Sequence, residues 1–184
     1  MEIGDVVQEA LRGALRDVWR RYPQVVRENT SERCVVAKVA AALQVRIDNA
    51  LGEGFRADVD HNRSHPRDVE GNEAIRTKYL GEPKENDRGE QVTPDLIVHD
   101  GTGDVSRNLL VVEAKKGDVR AGGRKRDYDK LRGYLHVFQY KQAAFVEWDA
   151  RGGPPRLEWM TFDTEMPDPR KRAREIVEVQ QLSG

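Results

Sequence analysis

A single cysteine, Cys34, in 184 residues excludes an intrachain disulfide and a cysteine-based zinc site. One thiol on an expected helix fits a reducing cytosol. No run approaches the ~20 apolar residues that a membrane-spanning helix requires. The opening Met1-Glu2-Ile3-Gly4-Asp5 lacks the basic start and apolar core of a signal peptide. The expectation is a soluble, cytoplasmic protein. A surplus of one charge sign is also missing, because 31 basic residues face 32 acidic ones and leave a formal net charge of −1. That balance removes the domain-wide basic excess of many nucleic-acid binders, so any such footprint has to be local. Internal repeats and low-complexity tracts are absent.

The length fits one domain with a modest core, here expected as a helix over 1–25, a core over 31–162 and a tail over 163–184. Ile3, Val6, Val7, Ala10, Leu11, Ala14, Leu15, Val18 and Trp19 recur at helical spacing, with Pro23 just beyond. This helix packs on the domain or on a second copy of the chain, so a homodimer stands among the expected partners. A second helix is expected over 31–51 on the stripe Val35, Val39, Ala42, Leu43 and Ile47. Asn29 is its candidate cap, with Glu32 completing a capping-box-like start. Alternation over 55–60 predicts a strand. The polar, Gly- and Pro-interrupted stretch 61–91 reads as an insertion with a short helix near 72–80. Strands follow over 92–99 and 108–115, then a basic, glycine-containing loop over 116–126. A helix over 127–140 rests on Leu131, Tyr134, Leu135 and Phe138. Strands over 143–148 and 156–162 come next, and the tail from Pro169 is expected to end as a helix.

The most informative feature lies on the paired strands. Pro94-Asp95 precedes Leu96-Ile97-Val98, and Leu109-Leu110-Val111-Val112 runs into Glu113-Ala114-Lys115. The turn Asp100-Gly101-Thr102-Gly103-Asp104 lies between. Residues two apart on a strand share a face, so Glu113 and Lys115 project together. Asp95 on the neighbouring strand reaches the same edge. Two carboxylates and a backbone carbonyl are the hard oxygen ligands that Mg²⁺ or Mn²⁺ takes. Such an ion polarises a phosphate and lowers the pKa of a water, while Lys115 orients the nucleophile and offsets developing charge.

The order helix, strand, hairpin, strand, helix, strand, with Pro94-Asp95 and Glu113-Ala114-Lys115 in these places, resembles the PD-(D/E)XK nuclease superfamily over roughly 31–148. It is similar to small bacterial members in which a "TPDLIVHD" strand is followed by "NLLVVEAKK". The resemblance implies an α/β restriction-endonuclease-like core, a mixed central sheet flanked by helices (αβββαβ), and metal-dependent hydrolysis of DNA, most simply by an endonuclease. It implies Asp95, Glu113 and the Ala114 carbonyl as metal ligands, Lys115 as a catalytic residue, and Glu32 as a further candidate ligand from the preceding helix. The helix after the motif lacks a Gln-x-x-x-Tyr element, and the chain has no separate target-recognition domain.

Each residue also has an ordinary explanation. Aspartate after proline is common in turns, and Glu32 serves as a helix cap without any metal. A charged pair at the end of a nearly all-apolar strand is harder to explain by solvation. Lys116, Arg120, Arg124, Lys125, Arg126 and Lys130 form the best local basic patch, either a DNA-phosphate surface or a solvated loop. His61 and His65 beside Asp58 and Asp60 match no metal-ligand spacing and read as loop polarity. RNA remains an alternative substrate, and a catalytically inactive nucleic-acid-binding or assembly module of the same fold is the rival reading.

Overall fold

Our computed structural model describes residues 2–27, 30–60, 63–64, 76–77, 79–80, 90–91, 93–117, 121–161 and 178–182. In chain order the elements are α1 (Ile3–Arg21), α2 (Pro23–Arg27), α3 (Glu32–Leu51) and β1 (Arg56–Val59). Four two-residue strands follow, β2 (Arg63–Ser64), β3 (Arg76–Thr77), β4 (Tyr79–Leu80) and β5 (Glu90–Gln91). Then come β6 (Leu96–His99), a 3₁₀ turn (Val105–Arg107), β7 (Leu110–Lys116), α4 (Ala121–Val137), β8 (Gln142–Trp148), β9 (Arg156–Thr161) and β10 (Glu178–Gln181). Among the described residues, no helix is long and apolar enough to cross a membrane.

The protein is α/β, with a mixed sheet ordered β1-β6-β7-β8-β9-β10. Only β7 and β8 run parallel, because α4 carries the chain back across the sheet between them, and the other neighbours are antiparallel. Uninterrupted apolar runs in β6 and β7 demand cover on both faces, and both faces have it. Leu96, Val98, Leu110, Val112 and Ala114 pack with Leu11, Leu15, Val39, Leu43 and Ile47 of α1 and α3. Ile97, Val111, Ala143 and Phe145 pack on the other face with Leu131, Tyr134 and Leu135 of α4. From Val7 to Val18 the apolar stripe of α1 is thus buried within its own chain, while Ile3 at its start is exposed. Between β6 and β7, Gly101 and Gly103 take left-handed backbone (φ 76° and 82°), and Asp100 and Asp104 accept hydrogen bonds from residues two ahead.

Three expectations are corrected. The helix near 72–80 is not formed over its described part: Arg76–Thr77 and Tyr79–Leu80 pair as strands with β2 and β5. The β-branched Thr77 and aromatic Tyr79 suit that state, and 72–75 lie outside the described residues. The tail does not end as a helix over 178–181, where β10 covers the edge of β9 and Leu182 enters the core. Its basic stretch, 170–174, lies outside the described residues. Finally, α4 begins at Ala121, so Arg124, Lys125 and Arg126 stand on a helix rather than in a loop.

Candidate active site

Strand β7 outlasts its neighbour. Its pairing with β6 stops at the Val112–Leu96 pair, whereas its pairing with β8 continues to Lys116 opposite Trp148. Among the described residues, 113–116 therefore lack a strand on one side, and the amides there need other acceptors. Carboxylates supply them. Asp95 Oδ2 accepts from the Ala114 amide at 2.7 Å, and Glu32 Oε2 accepts from the Lys116 amide at 3.0 Å. Asp95 stands one step before β6, where Pro94 has interrupted the donors of that strand. Glu32 comes from the first turn of α3. Its carboxylate is directed at β7, so the capping-box expectation is replaced. Ser31 occupies the cap position, but its hydroxyl donates to Cys34 Sγ at 3.3 Å instead of capping a backbone amide, and Asn29 lies outside the described residues.

The alternation of β7 sends Val111, Glu113 and Lys115 toward α4 and Val112 and Ala114 toward α1 and α3. Glu113 is fully buried. Its Oε2 receives the Lys130 ammonium at 3.1 Å, while Oε1 has no hydrogen-bond partner among the described residues. Lys115 Nζ donates to Glu32 Oε1 at 3.1 Å and to the Ala114 carbonyl at 3.0 Å. It also lies 4.0 Å from Asp95 Oδ2 and 3.8 Å from Asp127 Oδ2. The three residues of the sequence motif, together with Glu32, thus meet at one end of β7.

Electrostatics mark the same place. Burial, followed by the charge of Asp95, pushes the Glu113 carboxyl up to about 8, against the pull of Lys130. Asp95 is raised as well, chiefly by burial and with Glu32 adding to it, although the Ala114 amide and Lys115 oppose the shift. For Lys115 and Lys130 burial works against the charge, but the surrounding carboxylates outweigh it and both are raised. Burial, then the proximity of Glu113, raises the Tyr134 phenol far above its ordinary value. When ionised, Glu32, Asp95, Glu113 and Asp127 bring four negative charges, and Lys115 and Lys130 bring two positive ones. The surplus of two negative charges is what one divalent cation would neutralise.

Asp95, Glu113 and the Ala114 carbonyl fit such an ion by chemistry, since all are oxygen donors and one buried Glu113 oxygen has no hydrogen-bond partner among the described residues. Among the described residues, no three His, Cys, Asp or Glu side chains form a ready-made metal-ligand group. Two lysines are interleaved with the acids instead. Asp95 also lines a recess of about 150 Å³ with Arg33, Val36, Ala37, Val59 and Asp60, and neither Glu113 nor Lys115 is part of its wall. A larger recess of about 820 Å³ lies between α1 and α3 and includes none of the motif residues.

The basic patch is divided by the structure. Lys116 Nζ donates to the carbonyls of Val25 and Thr30, tying β7 to the segment before α3. Arg124 pairs with Glu147 at 3.0 Å and with the buried Glu158, and it stacks over Phe145. Lys130 serves Glu113. Lys125 and Arg126 are exposed on α4, and Arg120 lies outside the described residues. Asp58 lies 2.9 Å from His99 Nε2 and Asp60 3.3 Å from Arg33, while His61 and His65 lie outside the described residues.

Sequence reasoning missed Asp127 and the neighbourhood of Tyr134. A signal for Asp127 was present: one helical turn back from Leu131 and Tyr134, the buried stripe of α4 lands on Asp127 and Lys130. Charged residues on a buried stripe call for buried partners. Comparison with family models, with curated proteins and with solved structures returned no match for this chain.

Proposed function

We propose that the chain is a divalent-metal-dependent nuclease, most simply an endonuclease, that hydrolyses DNA phosphodiester bonds on a restriction-endonuclease-like core. The observation that carries this reading is Glu113: fully buried, one oxygen without a hydrogen-bond partner among the described residues, beside a second carboxylate and a fixed ammonium. A buried acid so placed is costly unless a function requires it. Asp95, Glu113 and the Ala114 carbonyl are the groups that would hold Mg²⁺ or Mn²⁺. The bound ion would supply Lewis acidity toward the phosphodiester and neutralise the surplus negative charge.

Lys115 is held by Glu32 and the Ala114 carbonyl, so its charge is fixed in place before substrate arrives. It orients the attacking water and stabilises the charge that builds on the phosphate oxygens. Since both oxygens of Glu32 serve Lys115 and the Lys116 amide, its role in this reading is to orient the lysine. Lys125 and Arg126, exposed on α4, are the candidate phosphate contacts.

Supercoiled plasmid with Mg²⁺ or Mn²⁺ tests the proposal. Wild type is expected to give nicked circles, and Lys115→Ala to lose activity on the order of 100-fold or more. Equal activity in both removes the mechanism. A second reading, an inactive nucleic-acid-binding or assembly module, is favoured by one observation: ammonium groups occupy Glu113 Oε2 and the Ala114 carbonyl. Calorimetric titration with Mn²⁺ separates the two. Binding lost in Asp95→Asn supports the enzyme, and a folded chain that takes no Mn²⁺ supports the module.

A further inference from the structure

Lys130 and Asp127 face Glu113 and Lys115 from one turn of α4, spaced three residues apart. The Lys130 ammonium bridges two acids, 3.1 Å from Glu113 Oε2 and 3.5 Å from Asp127 Oδ1. Each acid keeps its other oxygen buried and, among the described residues, without a hydrogen bond. A pair built only for stability would be expected to satisfy those oxygens, because a buried acceptor without its hydrogen bond keeps its desolvation cost uncompensated. Lysine is also the suitable residue for a movable contact, being a point charge on a flexible stem where arginine would grip in a plane. Its side chain retains 23% exposure, so the head has room to turn.

We propose that Lys130 is the resident hydrogen-bond partner of Glu113 in the metal-free protein and that Asp127 is its alternative acceptor. On loading of the site, the ammonium leaves Glu113 for Asp127, and α4 stays where it is. This inference rests on the metal-dependent reading above. Both residues are positioning residues, since neither touches the phosphate or the attacking water. The arrangement explains why a fully buried Glu113 is tolerated before an ion arrives, and why a second buried acid stands within reach of the same lysine.

The test uses the full chain and Mn²⁺ alone, by calorimetry and by thermal melting with and without the ion. Lys130→Met is expected to lower the metal-free Tm and to bind Mn²⁺ on the order of tenfold more tightly, because one competing positive charge has gone. Its Tm should therefore rise more on adding Mn²⁺ than that of wild type. Lys130→Arg keeps the charge and is expected to restore the metal-free Tm without the gain in affinity. Asp127→Asn is expected to weaken Mn²⁺ binding several-fold, since the displaced ammonium loses its acceptor.

Equal or weaker Mn²⁺ binding by Lys130→Met, or unchanged affinity in Asp127→Asn, overturns the proposal. Should Lys130→Met fold only with Mn²⁺ present, the proposal is supported, and a chain unfolded in both buffers overturns it. Wild-type binding that needs Asp95 but ignores Lys130 sinks this inference alone. A wild type that takes no Mn²⁺ sinks the metal-dependent reading with it.

Discussion

Burying a carboxyl group favours its neutral form, and Glu113 carries the consequence furthest, held at about 8 by burial and by Asp95. The sign of its effect on stability follows. Between its ordinary value of 4.5 and about 8, the folded chain keeps a proton that the unfolded chain has released. The metal-free protein therefore loses stability as pH rises through that window and regains none above it. Denaturant melts in chelator at about pH 5 and about pH 8 should show a loss on the order of a few kcal/mol in wild type. Glu113→Gln cannot ionise, so its slope should be shallower and its stability near pH 8 higher than wild type. Some slope should persist, because Asp95 is raised in the same direction. Parallel curves for the two proteins would mean that Glu113 is not the group responsible.

Among the elements, α4 shows most clearly what could and could not be read in advance. Leu131, Tyr134, Leu135 and Phe138 announced its second half, because apolar spacing is visible in a sequence. The first two turns look like a loop in the sequence. They carry Gly122 and Gly123, and Arg124 is anchored there by charge rather than by apolar burial. Arg124 reaches Glu147 on β8 and Glu158 on β9, and Arg156 also lies 2.9 Å from Glu158. Such a network joins residues far apart in the chain and leaves no periodic trace. Conversely, Asp95 and Glu113 were legible because both flank apolar strands joined by a short turn, so local pairing alone brings them together. Glu32 was legible as a position but not as a contact, since its reach to Lys115 depends on how α3 lies over β7. Arg124→Met should destabilise the fold by about 2 kcal/mol, below the usual cost of breaking a buried pair because Arg156 remains on Glu158. Urea melts measure it, and a change within experimental error would show that Arg156 alone satisfies Glu158.

Across the whole molecule, the site lies on β7, where the sheet changes from antiparallel to parallel pairing and the strand overhangs β6. That overhang needs a rigid sheet behind it, and β8, β9 and β10 supply it in order. β10 is the outermost strand of that run, and Leu182 just after it is 4% exposed and packs in the core with α1 and α3. Shortening this side chain removes buried methyl groups at the far margin of the sheet and leaves a cavity. Leu182→Ala is therefore expected to cost about 2–3 kcal/mol in urea melts. Val45, 61% exposed on α3, provides the control, and Val45→Ala should stay within about 0.5 kcal/mol of wild type. Two strands in the sheet order, β8 and β9, separate β10 and the adjoining Leu182 from β7. At temperatures where Leu182→Ala remains folded, its Mn²⁺ affinity should thus match wild type, because well-separated sites act nearly independently. Lost affinity in a fully folded Leu182→Ala protein would mean instead that the margin of the sheet and the overhang of β7 move as one unit.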